Sequence, residues 1–227
     1  VASPSVCDNH LELAFQVNVQ GTHNVLKYAV EAGAKRFVQA SSAHVYGISP
    51  RYLPTDERHP LSLQGTYTTT KILSEQLCHL FWENYGLSYA AIRLFNGYGP
   101  GQALGYFIPD MIAKAQAGRI VLRGYDVTKD WVYIDDVVRA YVLALESKFV
   151  GPINIGAGHE ETLGHVAQSI TRLIGAEYTV DGKSQSGPTR MLCDNRRAWE
   201  ILGWKPTMTL EGGLRATIAA ACKTVPV

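Results

Sequence analysis

Apolar residues recur along this chain at two alternating spacings, one suited to helices and one to short buried strands. From 10 to 33, Leu11, Leu13, Phe15, Val17, Val25, Leu26, Tyr28 and Ala29 make a broad apolar face that predicts one long helix, closed by Gly33. A short strand is predicted at 35–40, running into Ser41-Ser42. The polar, Pro-containing stretch 49–65 is predicted as loop. A second helical pattern covers 66–85 before Gly86. Residues 88–94 read as the next strand, and Asn96-Gly97-Tyr98-Gly99-Pro100-Gly101 as a loop. Further on, helices are predicted at 108–117, 135–147, 162–174, 194–202 and 210–223, and strands at 120–122, 152–155 and 178–180. Asp135 at a helix start suits the macrodipole. Buried-looking strands alternating with helices predict an α/β fold with a largely parallel sheet. The alternation loosens after 103, so 1–103 and 104–227 are expected as two partly interleaved domains.

Composition narrows the class. The 227 residues are 46% hydrophobic and 18% charged, enough for one large domain or two small ones. A formal charge of +1 leaves no electrostatic footprint for nucleic acid. There is no run of eighteen apolar residues, so no membrane-spanning helix is expected. Val1-Ala2-Ser3-Pro4 lacks the basic and apolar regions of a signal peptide and has no initiator Met. The chain is therefore expected to begin part-way through a larger cytoplasmic protein. Cys7, Cys78, Cys193 and Cys222 show no metal-ligand spacing, so reduced thiols and no metal site are expected.

The spacing with the most chemical content is Tyr67-Thr68-Thr69-Thr70-Lys71, because residues four apart share one helix face. A phenol and an ammonium then point into one cleft. The ammonium is expected to lower the phenol pKa from about 10 toward neutrality. Such a Tyr accepts a proton from an alcohol while a hydride leaves the same carbon. Ser41-Ser42 lies at a strand end, where open α/β sheets place ligand-binding groups.

Together, Ser42-Ala43-His44-Val45-Tyr46-Gly47 and Tyr67-x-x-x-Lys71 with Glu75 resemble the extended short-chain dehydrogenase/reductase family. Further matches follow in order. Asn18-Val19-Gln20-Gly21-Thr22 resembles its Asn-Val-x-Gly-Thr segment, and Arg93 to Pro100 its Arg-x-x-Asn-x-Tyr-Gly-Pro loop. Lys129-Asp130-Trp131-Val132-Tyr133-Ile134-Asp135-Asp136 resembles Arg-Asp-Phe-Val-Tyr-Val-Asp-Asp, and Leu202-Gly203-Trp204-Lys205-Pro206 matches the tail. The subgroup resembled is the nucleotide-sugar epimerases and dehydratases. The resemblance implies a Rossmann-like sheet with a smaller substrate-binding domain.

It also implies residue roles. Tyr67 would be the general base and acid, Lys71 would hold the nicotinamide ribose, and Ser42 would hydrogen-bond the reacting oxygen. Asn18 and Phe95 match cofactor-side positions, Asn18 supporting the Tyr/Lys pair. His44, Asn96, Phe107, Arg123, Lys129 and Arg190 fall at substrate-binding positions, Asn96 against the sugar-nucleotide diphosphate. The implied cofactor is NAD, with NADP left open. The implied partner is a nucleotide-diphosphate sugar, and helices 10–33 and 66–86 would form a homodimer bundle.

Two departures bear on this reading. There is no Gly-x-x-Gly-x-x-Gly after an N-terminal strand, so roughly 70 residues of the family's Rossmann half are expected to be missing. This chain alone is then expected to bind NAD poorly and to be inactive, with an exposed sheet edge. Gly156-Ala157-Gly158 follows a predicted strand, but Glu161 stands where a third glycine belongs. At the substrate end, Lys129 replaces an arginine, and Arg190 or Lys183 is left to meet the phosphates. Ala43 and His44 provide no carboxylates for dehydration or decarboxylation, which leaves epimerisation leading and keto-sugar reduction open. A sugar-nucleotide-binding module without catalysis is the alternative of another class.

Overall fold

The computed structural model describes residues 3–182 and 190–223. The chain opens with α1 (Pro4–Asn9), α2 (Leu11–Ala14), a π-helical turn (Phe15–Gln20) and α3 (Gly21–Glu31). Next come β1 (Arg36–Ala40), a 3₁₀ turn (Ala43–Tyr46), α4 (Thr66–Tyr85), β2 (Ser88–Leu94) and β3 (Asn96–Tyr98). Then follow α5 (Phe107–Gln116), β4 (Arg119–Leu122), β5 (Thr128–Tyr133), α6 (Ile134–Glu146) and β6 (Gly151–Ile155). The described chain ends with β7 (Glu160–Thr162), α7 (Leu163–Ile174), β8 (Glu177–Val180), α8 (Arg196–Leu202) and α9 (Leu210–Lys223).

The sheet that positions the site has the order β1-β2-β6, with both pairs parallel. β2 is central and buried on both faces, and successive side chains point opposite ways. Ala90 and Ile92 pack with Val137, Ala140 and Ala144 of α6 and with Trp204. Tyr89 and Ala91 pack with Leu26 of α3 and with Cys78 and Phe81 of α4. This gives helices on both faces. β6 comes from beyond residue 103 yet completes the first sheet, so the chain crosses between the two parts more than once. A separate core joins α5, α7, α9 and the parallel pair β4–β8 around Ile108, Ile112, Ile120, Ile170 and Leu214. No helix among the described residues is long and apolar enough to cross a membrane.

Two sequence expectations need correction. Residues 96–101 are not wholly loop: Asn96–Tyr98 pairs in parallel with Trp131–Tyr133. Three residues that include a glycine carry no readable period, and only the distant partner strand makes them β. β5 itself, and its antiparallel partner β7, were also invisible to the pattern. The helix expected over 10–33 runs from Leu11 to Glu31, with His10 as its N-cap, and is widened into a π turn at 15–20. The wider turn brings Asn18 inward while Phe15 and Val17 stay partly exposed, a trade that apolar periodicity alone does not show.

Candidate active site

A cavity of about 510 Å³ opens beyond the C-terminal ends of β1 and β2. Ser42 and His44 line it from the 3₁₀ turn, Tyr67 from the first turn of α4, and Phe95 and Asn96 from the end of β2. Phe107 from the start of α5 and Lys129 from β5 close the other side. Lys71, Asn18, Arg123 and Arg190 lie outside this lining.

Ser42 caps the 3₁₀ turn: its Oγ accepts from the His44 backbone N–H at 3.2 Å and lies 3.0 Å from His44 Nδ1. The His44 and Tyr67 rings meet edge to face at 5.8 Å. Lys71 follows one turn after Tyr67 with its Nζ 5.6 Å from the ring centre, and donates to the Ala40 carbonyl at 2.7 Å. The expected lowering of the phenol pKa is not what this arrangement produces. Burial raises the Tyr67 pKa above its ordinary value, outweighing the hydrogen bond from Ser42. Burial also pulls Lys71 down to about 8. The ammonium is committed to the end of β1 and lies beside the ring, so desolvation dominates both groups and favours their neutral forms.

Behind these residues a buried polar frame fixes their places. Asn18 Nδ2 donates to Thr70 Oγ1 at 3.1 Å, and the Asn18 carbonyl accepts from Ser74 Oγ at 2.7 Å. The π turn is thereby tied to the stretch of α4 that carries Lys71. Ser41 Oγ donates to Glu75, which pairs with Arg93 at 2.6 Å. Arg93 donates to the Tyr46 hydroxyl at 3.0 Å, and that hydroxyl donates to Asn154 on β6 at 2.6 Å.

Further round the cavity, Asn96 Nδ2 donates to the Asp130 carbonyl at 3.1 Å, and burial lowers the Lys129 pKa. Two other cations named from the sequence stand apart. Arg123 pairs with Asp181 at 2.6 Å on an exposed edge, and Arg190 pairs with Glu160. Lys183 lies outside the described residues. Sequence reasoning missed Gln102, Trp131 and Met191, which also line the cavity. Gln102 Oε1 and Trp131 Nε1 are buried without a hydrogen-bond partner among the described residues. The two-residue period of a strand puts Trp131 on the face of Lys129, a signal that was available once 128–133 was known to be β.

The Gly156-Ala157-Gly158 loop after β6 is already occupied by an internal anion. Ala157 N–H and Gly158 N–H donate to the Asp130 carboxylate, joined by Cys193 N–H at 3.0 Å. Burial pushes this carboxyl up to about 6 against the pull of three backbone donors. That loop therefore does not cradle a pyrophosphate. Ser42, Tyr67 and Phe95 on one cavity wall, with Lys71 behind, do suit the nicotinamide end of a dinucleotide. No cluster of three or more metal-ligating side chains occurs among the described residues.

Comparison with known proteins gives a consistent picture. Residues 1–156 match the NAD dependent epimerase/dehydratase family. A putative UDP-glucose 4-epimerase of Methanocaldococcus jannaschii is 32% identical over 212 residues, covering 89% of this chain and 68% of that protein. UDP-glucuronic acid decarboxylase 1 of Xenopus tropicalis is 29% identical over 232 residues, covering 96% of this chain and 55% of that protein. Among solved structures, the UDP-glucose 4-epimerase of Thermotoga maritima, crystallised with UDP-glucose, superposes with a TM-score of 0.89 at 28% identity. That match covers 98% of this chain and 75% of the other. The chain thus spans between 55 and 68% of the length of these two sequence relatives.

Proposed function

Because the chain belongs to the NAD dependent epimerase/dehydratase family, we propose that it forms the catalytic and substrate-binding part of a nucleotide-sugar epimerase. The observation that carries this reading is the meeting of Ser42 and Tyr67 on the wall of a 510 Å³ cavity, with Lys71 one turn behind. In the family reading, a bound nicotinamide dinucleotide supplies a reversible hydride acceptor. This chain's residues do the proton work. Tyr67 takes the proton of a sugar hydroxyl and returns it to the keto-sugar after the sugar has turned over. Ser42 donates to the reacting oxygen as charge develops on it. Asn96 and Lys129 face the polar part of the substrate. Phe107 and Trp131, 5.8 Å apart at a 31° tilt, offer it an aromatic surface.

Other reactions of the family use the same Ser, Tyr and Lys. Decarboxylation is the second reading, supported by the relative of that activity matched over 96% of this chain. His44 supplies no carboxylate for it or for dehydration. Keto-sugar reduction and non-catalytic sugar-nucleotide binding complete the set. The proposal extends to a cytoplasmic homodimer. Cys7, Cys78, Cys193 and Cys222 form no disulfide among the described residues, which suits a reducing compartment, and Val25, Tyr28, Leu80 and Tyr85 leave apolar surface on α3 and α4.

The test is to incubate the protein, in a length that binds NAD, with NAD and UDP-sugars and to follow products by proton NMR. An epimer without net NAD reduction is expected. Tyr67→Phe should slow turnover by about 100-fold or more while leaving the circular dichroism unchanged. A dehydrated keto-sugar, carbon dioxide or stoichiometric NADPH consumption would assign one of the other family reactions. Saturable binding of UDP-sugar with no conversion would instead favour the binding module.

A further inference from the structure

Two serines stand side by side after β1, and their protons meet different fates. Ser41 Oγ donates to the Glu75 carboxylate, so its only proton is committed inside the core. Ser42 Oγ is approached instead by two nitrogens of one residue. The His44 backbone N–H donates to it at 3.2 Å, and His44 Nδ1 lies 3.0 Å away. A hydroxyl has one proton and two acceptor positions, and a neutral imidazole carries its single proton on one nitrogen or the other. The line between Ser42 Oγ and Nδ1 therefore holds one proton, supplied by the serine or by the imidazole. If the serine supplies it, Ser42 has none left for a ligand. If Nδ1 supplies it, His44 fills both acceptor positions of Oγ, and the serine proton is left for another partner.

The peptide of His44 is pinned in this pose. Its carbonyl accepts from the Gly47 N–H at 2.8 Å and from Thr68 Oγ1, next to Tyr67 on α4, at 3.2 Å. Ala43 and Val45 on either side are buried, and the His44 ring packs edge to face on Tyr67 with centres 5.8 Å apart. Two other donors near this wall are spent on backbone: Lys71 Nζ on the Ala40 carbonyl and Asn96 Nδ2 on the Asp130 carbonyl.

We propose that His44 is a positioning residue, which donates its Nδ1–H to Ser42 Oγ and so leaves the Ser42 proton to the reacting oxygen of the substrate. This rests on the reading of Ser42 as the donor to that oxygen. No proton passes between His44 and Ser42. The imidazole acts by direction: a hydroxyl whose acceptor positions are already filled is aimed before charge develops, and needs no turning when it does.

The full chain with nitrogen-15 histidine, without cofactor or sugar, tests this by long-range proton–nitrogen correlation. The measurement is made well above the ordinary imidazole pKa of about 6.5, where the ring is neutral. His44 is expected as the Nδ1–H tautomer, and Ser42→Ala should lose that preference. An Nε2–H tautomer in the parent, or an Nδ1–H preference unchanged in Ser42→Ala, overturns the proposal. The parent spectrum alone decides it if the variant does not fold. Turnover, in a length that binds NAD, gives a second readout. His44→Leu should lower kcat about 10-fold with little change in KM. His44→Asn, which returns an N–H near the place of Nδ1, should recover most of that loss. Two equally slow variants would overturn the positioning role. An Nδ1–H tautomer in a protein that converts no UDP-sugar would keep the pairing of His44 with Ser42 and remove the epimerase reading. Conversion with an Nε2–H tautomer would do the reverse.

Discussion

Lys71 is the residue where the proposed function and stability pull in opposite directions. Its side chain is 2% exposed, and burial brings its pKa from 10.5 to about 8. Below pH 8 both the folded and unfolded chains carry the charge, and the cost of burying it is fully present. Between about 8 and 10.5 folding releases a proton, so stability rises with pH through that window. Lys71→Met should therefore melt roughly 5 °C higher than the parent at pH 7 and lose that advantage as the pH approaches 10. Scanning calorimetry across this range checks it, and a less stable variant at pH 7 would contradict the account. The identity of this residue was legible in the sequence, because four-residue spacing on a helix fixes which side chains share a cleft. The direction of the Tyr67 pKa was not. Spacing reports that a charge is near, but not which carbonyl it is bonded to or how much water has gone. Arg123 and Arg190 failed to reach the cavity for a related reason, since each found a carboxylate on the surface.

Strong periods made α4 and β2 readable to the residue, and α9 likewise. The elements that escaped are those whose conformation is set by partners. β5 carries Lys129 and Asp130 in mid-strand, and a buried carboxylate breaks any apolar alternation. It is tolerated because amides from 157, 158 and 193 converge on it. This knot joins β5, the loop after β6 and the segment carrying Met191, so it holds two walls of the cavity together. Gly156 is where it is tightest. A Cβ there would lie 2.5 Å from the Cys193 Cβ and 3.0 Å from Asp130 Oδ1. Gly156→Ala should cost about 1–3 kcal/mol in urea denaturation and weaken sugar-nucleotide binding, because Met191 and Lys129 would part. Unchanged stability would mean that the loop yields without disturbing the knot.

For the whole molecule, the uncovered apolar surface on α3 and α4 bears on assembly. Val25 and Tyr28 are 55% and 66% exposed on α3, and Tyr85 is 63% exposed at the end of α4. Sedimentation equilibrium should give a dimer, and Val25→Glu with Tyr28→Glu should give a folded monomer. A monomeric parent would remove the homodimer from the proposal. The first sheet has another consequence, which concerns time. β2 joins β1 across roughly fifty residues of chain and β6 across roughly sixty, and both pairs are parallel. Each pairing must close a long loop before burial rewards it, which makes such folding slow. Ser42 and Tyr67 precede β2, while Lys129, Trp131 and Met191 depend on chain synthesised much later. One wall meets the other when β5 pairs with β3, and Met191 joins them only after the segment beyond β6 has been made, so a nascent chain completes this cavity late.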